Sequence, residues 1–494
     1  MNEFYESTRD KEVKIKASEA ILKGLSEEGG LFVLRDLNKY KIEIKTLIEK
    51  DYYEIAIDIL KLFLHDFSEE EIQKCVYNSY KDKFSKDGVT HLVELKDGYV
   101  LELFNGPTNA FKDIALQILP QFTKLALKKN NSKEDVLILT ATSGDTGKAA
   151  LEGFKDIDST KIIVFYPNEG VSKIQEAQMK TQEGENTYVC AIKGNFDDAQ
   201  TGIKNIFMDE EIREELKKHN IKLSSANSIN IGRLIPQIVY YFNSYIELVR
   251  KRKIKIGDKI NYVVPTGNFG NILAGFYAKE IGLPINKLIC ASNENNVLYE
   301  FLKTGKYNRN RSFFKTNSPS MDILISSNLE RLLYYMSGCD NEYIKDIMKQ
   351  LNVKGEYKVE ESILKKIKET FIAGYATNQE TEYIIKSVYE KDNYLLDTHS
   401  AVAYKVLLDN MDKDHVNVVL ATASPYKFTN SVYESLYGKT EIDEFKLMKI
   451  LNEKTGVVLP SNLRELDKKP VIHNSVIEKD EMKNFLMKKV GELK

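Results

Sequence analysis

Six apolar, largely β-branched runs constrain this chain more than any other feature: DVLILTAT (135–142), KIIVFYP (161–167), TYVCAI (187–192), INYVVPT (260–266), KLICAS (287–292) and VNVVLATA (416–423). They are too short for ordinary helices and show no polar alternation. Strands of that texture are buried on both faces, as in a parallel sheet covered by helices. Helical periods separate the runs and can supply the crossovers that parallel strands require. The runs fall into two clusters, which predicts two α/β lobes. Their crevice, or the ends of their strands, is where such sheets bind ligands.

The flanking segments read differently. Residues 10 to 85 are mostly helical in pattern, as in ASEAILKGL, EIAIDILKLFL and SEEEIQKCV, with a punctuated SEEGGLFV between them. THLVELKDGYVLEL (90–103) predicts two short strands joined by the turn Lys96-Asp97-Gly98. The stretch 325–390 is helical and highly charged, and the tail after 440 carries charge and short helical periods. The expected organisation is an N-terminal mainly helical domain (1–90), a two-lobed α/β region (91–440) and a C-terminal extension (441–494). Within the central region the smaller lobe spans about 105–225, and 325–390 is a helical insertion on the larger. A chain of 494 residues has the length for this.

Composition removes several classes of function. Basic and acidic side chains nearly balance, 71 to 73, so no nucleic-acid footprint is expected. Cys75, Cys190, Cys290 and Cys339 are scattered and form no C-x-x-C pair, which argues against zinc and disulfides and for a reducing cytoplasm. No secretory leader or membrane span is visible. The six histidines, His399 among them, have no metal-ligand spacing, and no G-x-S-x-G elbow occurs. Neither a metal nor a membrane is expected.

Three loops rich in glycine, hydroxyl or amide side chains carry the chemistry. TATSGDTGKAA (140–150) follows the first apolar run and leads into a helix. Its Ser143, Gly144, Asp145 and Thr146 could cradle an anion at the helix start or form an ordinary turn. Ala149 follows Lys148 where a P-loop has Ser or Thr, which argues against a magnesium-nucleotide site. PTGNFGNILAG (265–275) offers Gly267, Asn268, Phe269, Gly270 and Asn271 to a phosphate in the same way. SSANSINIGRLIPQ (224–237) sets Ser228 and Asn230 before Arg233, either a phosphate clamp or a helix cap followed by a surface arginine. Two anion loops and an arginine suit two phosphates, one on a cofactor and one on a substrate. A pyridoxal phosphate enzyme needs one such cup and one lysine for a Schiff base. Lys112, in FNGPTNAFKDIALQ (104–117), could be that lysine or one more solvated amine.

At GPTNAFKD (106–113) the chain resembles the threonine synthases, pyridoxal phosphate enzymes of fold type II. TATSGDTGKAA, SANSINIGRLIPQ, PTGNFGNILAG, SPSMDILISSNLERLL (318–333) and LLDTHSAVAY (395–404) are similar to family segments in the family's order. So is YESTRDKEVKIKASEAILKGLSEEGGLFV (5–33), which makes the long form the nearer match. The chain departs from the family pattern at Asn109, usually Leu, at DTHSA (397–401), and at TASPYKF (422–428), where Ser424 replaces a histidine.

The resemblance implies two doubly wound α/β lobes of the tryptophan synthase β-like kind behind an N-terminal mainly helical domain. It implies pyridoxal 5'-phosphate as cofactor and conversion of O-phospho-L-homoserine and water to L-threonine and phosphate. Lys112 would bind the cofactor and be catalytic, and Gly267, Asn268, Phe269, Gly270 and Asn271 would hold its phosphate. Asp145 would face the ring hydroxyl and Thr422 the pyridine nitrogen. Ser143, Thr146, Ser228, Asn230 and Arg233 would meet the substrate. Two other readings stand beside this one: a phospho-lyase of the same fold giving a 2-oxo acid, and a non-catalytic small-molecule binding homologue. Monomer and dimer are both open.

Overall fold

The computed structural model describes residues 3–85 and 88–492. The chain opens on a small antiparallel sheet of β1 (Tyr5–Ser7), β2 (Asp10–Ile15) and β3 (Phe32–Val33), in the order β2-β1-β3. Helices follow the expected pattern at Ala17–Lys23, Tyr52–Lys61 and Glu69–Tyr80, the last two starting on capping boxes at Asp51 and Ser68. The difference lies at 10–15, where DKEVKI leaves Lys14 exposed between half-buried Val13 and Ile15. That two-residue period suits a strand and not a helix.

This N-terminal part is packed into the rest of the molecule. Ile55, Ile59 and Leu60 share a core with Tyr240 and Tyr241 of the helix Ile238–Arg250. The fully buried Arg331 donates from Nε to the Phe32 carbonyl (3.0 Å) and from Nη2 to the Ile229 carbonyl (2.6 Å).

β4 (His91–Leu95) and β5 (Gly98–Glu102) form the expected hairpin, with Leu95 opposite Gly98. The chain then builds the smaller sheet from β6 (Asp135–Ala141), β7 (Thr160–Pro167), β8 (Thr187–Lys193) and β9 (Ile221–Ser225). It returns to the larger sheet with β10 (Ile260–Pro265) and β11 (Ile285–Ser292). A short ribbon, β12 (Lys306–Asn308) with β13 (Glu356–Lys358), precedes β14 (Phe371–Tyr375) and β15 (Val416–Ala421). β16 (Ser475–Glu478) ends the series. The larger sheet runs β14-β11-β10-β15-β5-β4 and is parallel except for the hairpin. The smaller runs β16-β8-β7-β6-β9 and is parallel throughout.

The six apolar runs became β6, β7, β8, β10, β11 and β15, all interior to their sheets. β9, β14 and β16 lie outside those runs, and each is an edge strand. An edge strand need not be apolar on both faces, so IKLSS, FIAGY and SVIE lack the signature of a buried strand. Two consequences differ from the sequence reading. The charged stretch 325–390 supplies a strand of the larger sheet, and the tail returns to the smaller sheet, where Val476 pairs with Ala191.

Candidate active site

Four parallel strands aim their C-terminal ends at one crevice between the lobes. β6 leads into Thr142–Asp145, β9 into Asn227 and Ser228, β10 into Thr266–Asn271, and β15 into Thr422. The crevice is lined by these residues together with Phe111, Lys112, Thr146, Arg233, Gln237, Ser320, Asp322 and His399. This is the general position of ligand sites in open α/β sheets.

Lys112 begins the short helix Lys112–Leu116, and backbone bonds to the larger lobe fix its approach. Phe111 N–H donates to the Thr422 carbonyl (2.9 Å), and Ser424 N–H to the Asn109 carbonyl (3.0 Å). Asn109 adopts φ +59°, a left-handed turn that asparagine tolerates. Beneath the loop, Asp113 accepts from Thr108 N–H (2.8 Å) and Thr108 Oγ1 (2.6 Å).

Lys112 Nζ lies 3.4 Å from Asp145 Oδ2. Asp145 opens the helix Asp145–Phe154, where the positive end of the helix dipole favours a carboxylate. Its other oxygen accepts from Lys427 Nζ (2.7 Å) and Gln175 Nε2 (2.8 Å). Burial opposes charge on Asp145, but Lys427 and then Lys112 outweigh it and hold the carboxyl well below its usual range. Burial lowers the Lys112 pKa; Asp145 pulls it back up, while the like charges of Lys427 and Arg233 add to the lowering. The amine therefore loses its proton more readily than a solvated lysine.

Arg233 is 3% exposed. It donates from Nη1 to the Ala226 carbonyl (2.9 Å), while Nε has no partner among the described residues. Burial pushes its guanidinium down to about 10. Asp145 is thus shared by two lysines, Lys427 and the largely buried Lys112, while Arg233 stands apart on the Ala226 carbonyl. The other carboxylate of the lining, Asp322, is bonded to Thr316, Asn293 and Asn295. Arg233, buried with an unpartnered Nε, is the group of this lining that suits an anion.

The loop after β10 has the form of a phosphate cup. Phe269 takes φ +61° to start the helix Gly270–Glu280, and a Cβ on Gly267 would stand 2.9 Å from the Ser320 carbonyl. Asn268 Oδ1, Asn271 Nδ2 and Ser320 Oγ are buried without partners among the described residues. Opposite, Thr142 Oγ1 accepts from Gly144 N–H (2.9 Å) and Gly147 N–H (2.8 Å), which shapes the Ser143–Thr146 turn.

Of the residues singled out from sequence, Lys112, Ser143, Asp145, Thr146, Ser228, Arg233, Gly267, Asn268, Phe269, Gly270, Asn271 and Thr422 line the crevice. Asn230, expected to meet the substrate, is not among the residues that line the crevice. Its Nδ2 donates to the Ile21 and Ser225 carbonyls (3.0 and 3.1 Å) and its Oδ1 accepts Gly232 N–H (2.9 Å), so both donors and one acceptor position are committed to capping a helix and anchoring the N-terminal domain. Ser424 lines a separate cavity behind the lysine loop.

Two residues were not legible. His399 lines the crevice, its Nδ1 2.7 Å from Asp397 and its Nε2 accepting Ser320 N–H (3.1 Å). Lys427 is completely buried behind Asp145. A Lys inside the apolar-flanked TASPYKF was the available signal for the second; a lone histidine offered none. Among the described residues no cluster could hold a metal, and no helix is long and apolar enough to cross a membrane.

Comparison with known proteins agrees with this architecture. Residues 4–80 match the family model "Threonine synthase N terminus" and residues 400–485 match "Threonine synthase, C-terminal". The chain is 38% identical to Threonine synthase-like 1 of Macaca fascicularis over 452 residues, which is 88% of this chain and 60% of that protein. It therefore spans about three fifths of the length of that relative. Identity to the threonine synthase of Schizosaccharomyces pombe is 38% over 462 residues, 87% of this chain and 88% of that one. The crystal structure of PLP-bound threonine synthase from Brucella melitensis superposes with a TM-score of 0.87 at 36% identity, covering 99% of both chains. The architecture is fold type II, tryptophan synthase β-like, and the chain belongs to the threonine synthase family.

Proposed function

We propose that this chain converts O-phospho-L-homoserine and water to L-threonine and phosphate with pyridoxal 5'-phosphate as cofactor. The observation that carries the reading is a largely buried lysine of lowered pKa set between a glycine-rich loop of phosphate-cup form and an arginine with a spare donor. The residues present fit the cofactor. Lys112 would supply the amine for its aldehyde, and Gly267, Asn268, Phe269, Gly270 and Asn271 would form its phosphate cup, where Asn271 Nδ2 is an unpartnered donor and Gly267 allows close backbone approach. Asp145, kept ionised, would accept a hydrogen bond from the ring hydroxyl. Thr422 would offer the ring nitrogen a hydroxyl, which favours the uncharged nitrogen. When bound, pyridoxal phosphate supplies the electron sink that stabilises negative charge on substrate carbons.

The chain's own groups do the rest. Arg233, helped by Ser143, Thr146 and Ser228, grips the substrate phosphate and keeps its charge paired as it departs from Cγ. The neutral amine of Lys112 moves the protons at Cα and Cβ. His399, fixed by Asp397, holds the Ser320 backbone beside the cup. Each of these groups belongs to one chain. The four cysteines are free thiols, which supports placing the reaction in a reducing cytoplasm. Ser424, which departs from the family pattern in TASPYKF, lines a cavity separate from the crevice.

The test is product identification in deuterated water. Purified protein with pyridoxal phosphate and O-phosphohomoserine is expected to yield threonine and phosphate in equal amounts, with solvent deuterium at Cα and in the methyl group. Lys112→Ala is expected to yield neither. Dominant 2-oxobutyrate would replace this reading with the lyase, and wild-type protein with no turnover and no visible cofactor absorbance with the binding homologue.

A further inference from the structure

Behind Asp145 lies a charged group that the proposed reaction leaves without a task. Lys427 belongs to the short turn Pro425–Phe428 after β15, in the larger lobe, and is 0% exposed. Its Nζ donates to Asp145 Oδ1 (2.7 Å) in the smaller lobe and to the Thr108 carbonyl (2.9 Å) in the lysine loop. Its own carbonyl accepts from Ser172 Oγ (3.0 Å), at the start of the smaller-lobe helix Lys173–Lys180. One side chain therefore joins both lobes and the loop that carries Lys112. A buried ammonium is costly to desolvate, and a neutral donor would make the same hydrogen bonds, so the charge itself needs a reason.

We propose that Lys427 is a positioning residue for the chemistry at Lys112. It takes Asp145 as its own counter-ion, so Lys112 stands beside a carboxylate already neutralised and keeps a free amine. This rests on the functional reading above. The geometry supports it: Asp145 lies closer to Lys427 (2.7 Å) than to Lys112 (3.4 Å). The charged groups that act on Lys112 are Asp145, which favours its protonated form, and Lys427 and Arg233, which oppose it. Asp113 faces Lys427 from beneath the loop. Removing the charge of Lys427 deletes one opposing cation and frees Asp145 for Lys112. Both changes raise the proton affinity of Lys112, so the neutral amine would form only at higher pH.

The test uses full-length apoprotein, pyridoxal phosphate, and the absorbance of the lysine-bound cofactor followed across a pH series. Lys427→Gln keeps hydrogen-bond donors and loses the charge; Lys427→Met loses both. Each is expected to move the midpoint of cofactor attachment up by about one pH unit. Below that midpoint, attachment should be about tenfold slower. Lys427→Arg should return the midpoint towards that of wild type. A purely structural role would lower the thermal midpoint while the folded fraction kept the wild-type pH profile, and that result overturns the inference, as does an unmoved profile in Lys427→Gln. Wild-type protein that never attaches the cofactor would instead overturn the functional reading.

Discussion

At the scale of the residue, what distinguishes this site is how its charges are partnered. Arg233 was readable as a surface arginine after a helix cap, yet the structure buries it with one backbone acceptor and an idle Nε. A guanidinium so placed wants an anion. Arg233→Ala is expected to weaken O-phosphohomoserine binding by about 1.5–3 kcal/mol, the worth of a charge-assisted hydrogen bond. Cofactor binding should persist, because the cup after β10 is built from other residues, with only a smaller upward shift of its attachment midpoint, since Arg233 ranks behind Lys427 in opposing charge on Lys112. Saturation kinetics alongside a cofactor titration separate the two, and an unchanged KM would remove Arg233 from the substrate side. Asn230, four positions from the apolar Ala226, carried the same promise in sequence. Its amide has three hydrogen-bonding positions committed within the protein, and only the fold could show that.

At the scale of the element, the site depends on turns whose backbone leaves little freedom. Gly144 holds φ +126°, and a Cβ there would lie 2.4 Å from Gln175 Cδ, the same side chain that steadies Asp145. Gly144→Ala is therefore expected to cost about 1–3 kcal/mol of stability from the strained backbone. It should also loosen Asp145 by displacing Gln175, so the cofactor's absorbance maximum or affinity should change along with the thermal midpoint. A variant that melts and binds cofactor like the wild type would show that the turn relaxes freely. Loops at the ends of interior strands were visible in sequence because a buried apolar run makes the following glycine and hydroxyl residues conspicuous. Edge strands β9, β14 and β16 were not visible, because half their residues need no burial.

For the whole molecule, the chain's ends stabilise what its middle builds. The tail adds β16 beside β8, and its last helix buries Met482, Leu486 and Val490 in the core of the smaller lobe with Leu137, Phe165 and Ile203. Truncation before Val471 should therefore uncover apolar surface on that lobe alone. Hydrogen exchange should show the amides of β8 and of the helix Phe196–Met208 losing protection before those of β10, β11 and β15. Equal protection in both sheets after truncation would mean that the tail is dispensable.

The sequence alone determined the interior strands, the hairpin at Lys96-Asp97-Gly98, the three loops and the candidate lysine. Each is a local property: burial on both faces shows as an unbroken apolar run, and a turn shows as its glycine. The tertiary structure decided which polar residues face the crevice and which are spent elsewhere. Asp145 meets Lys427, and Arg331 meets Phe32, across hundreds of residues of chain, so no spacing or period records those contacts. Whether a buried polar group is satisfied or idle depends on every atom around it. That placed His399 and Lys427 in or beneath the site and took Asn230 and Ser424 away from it.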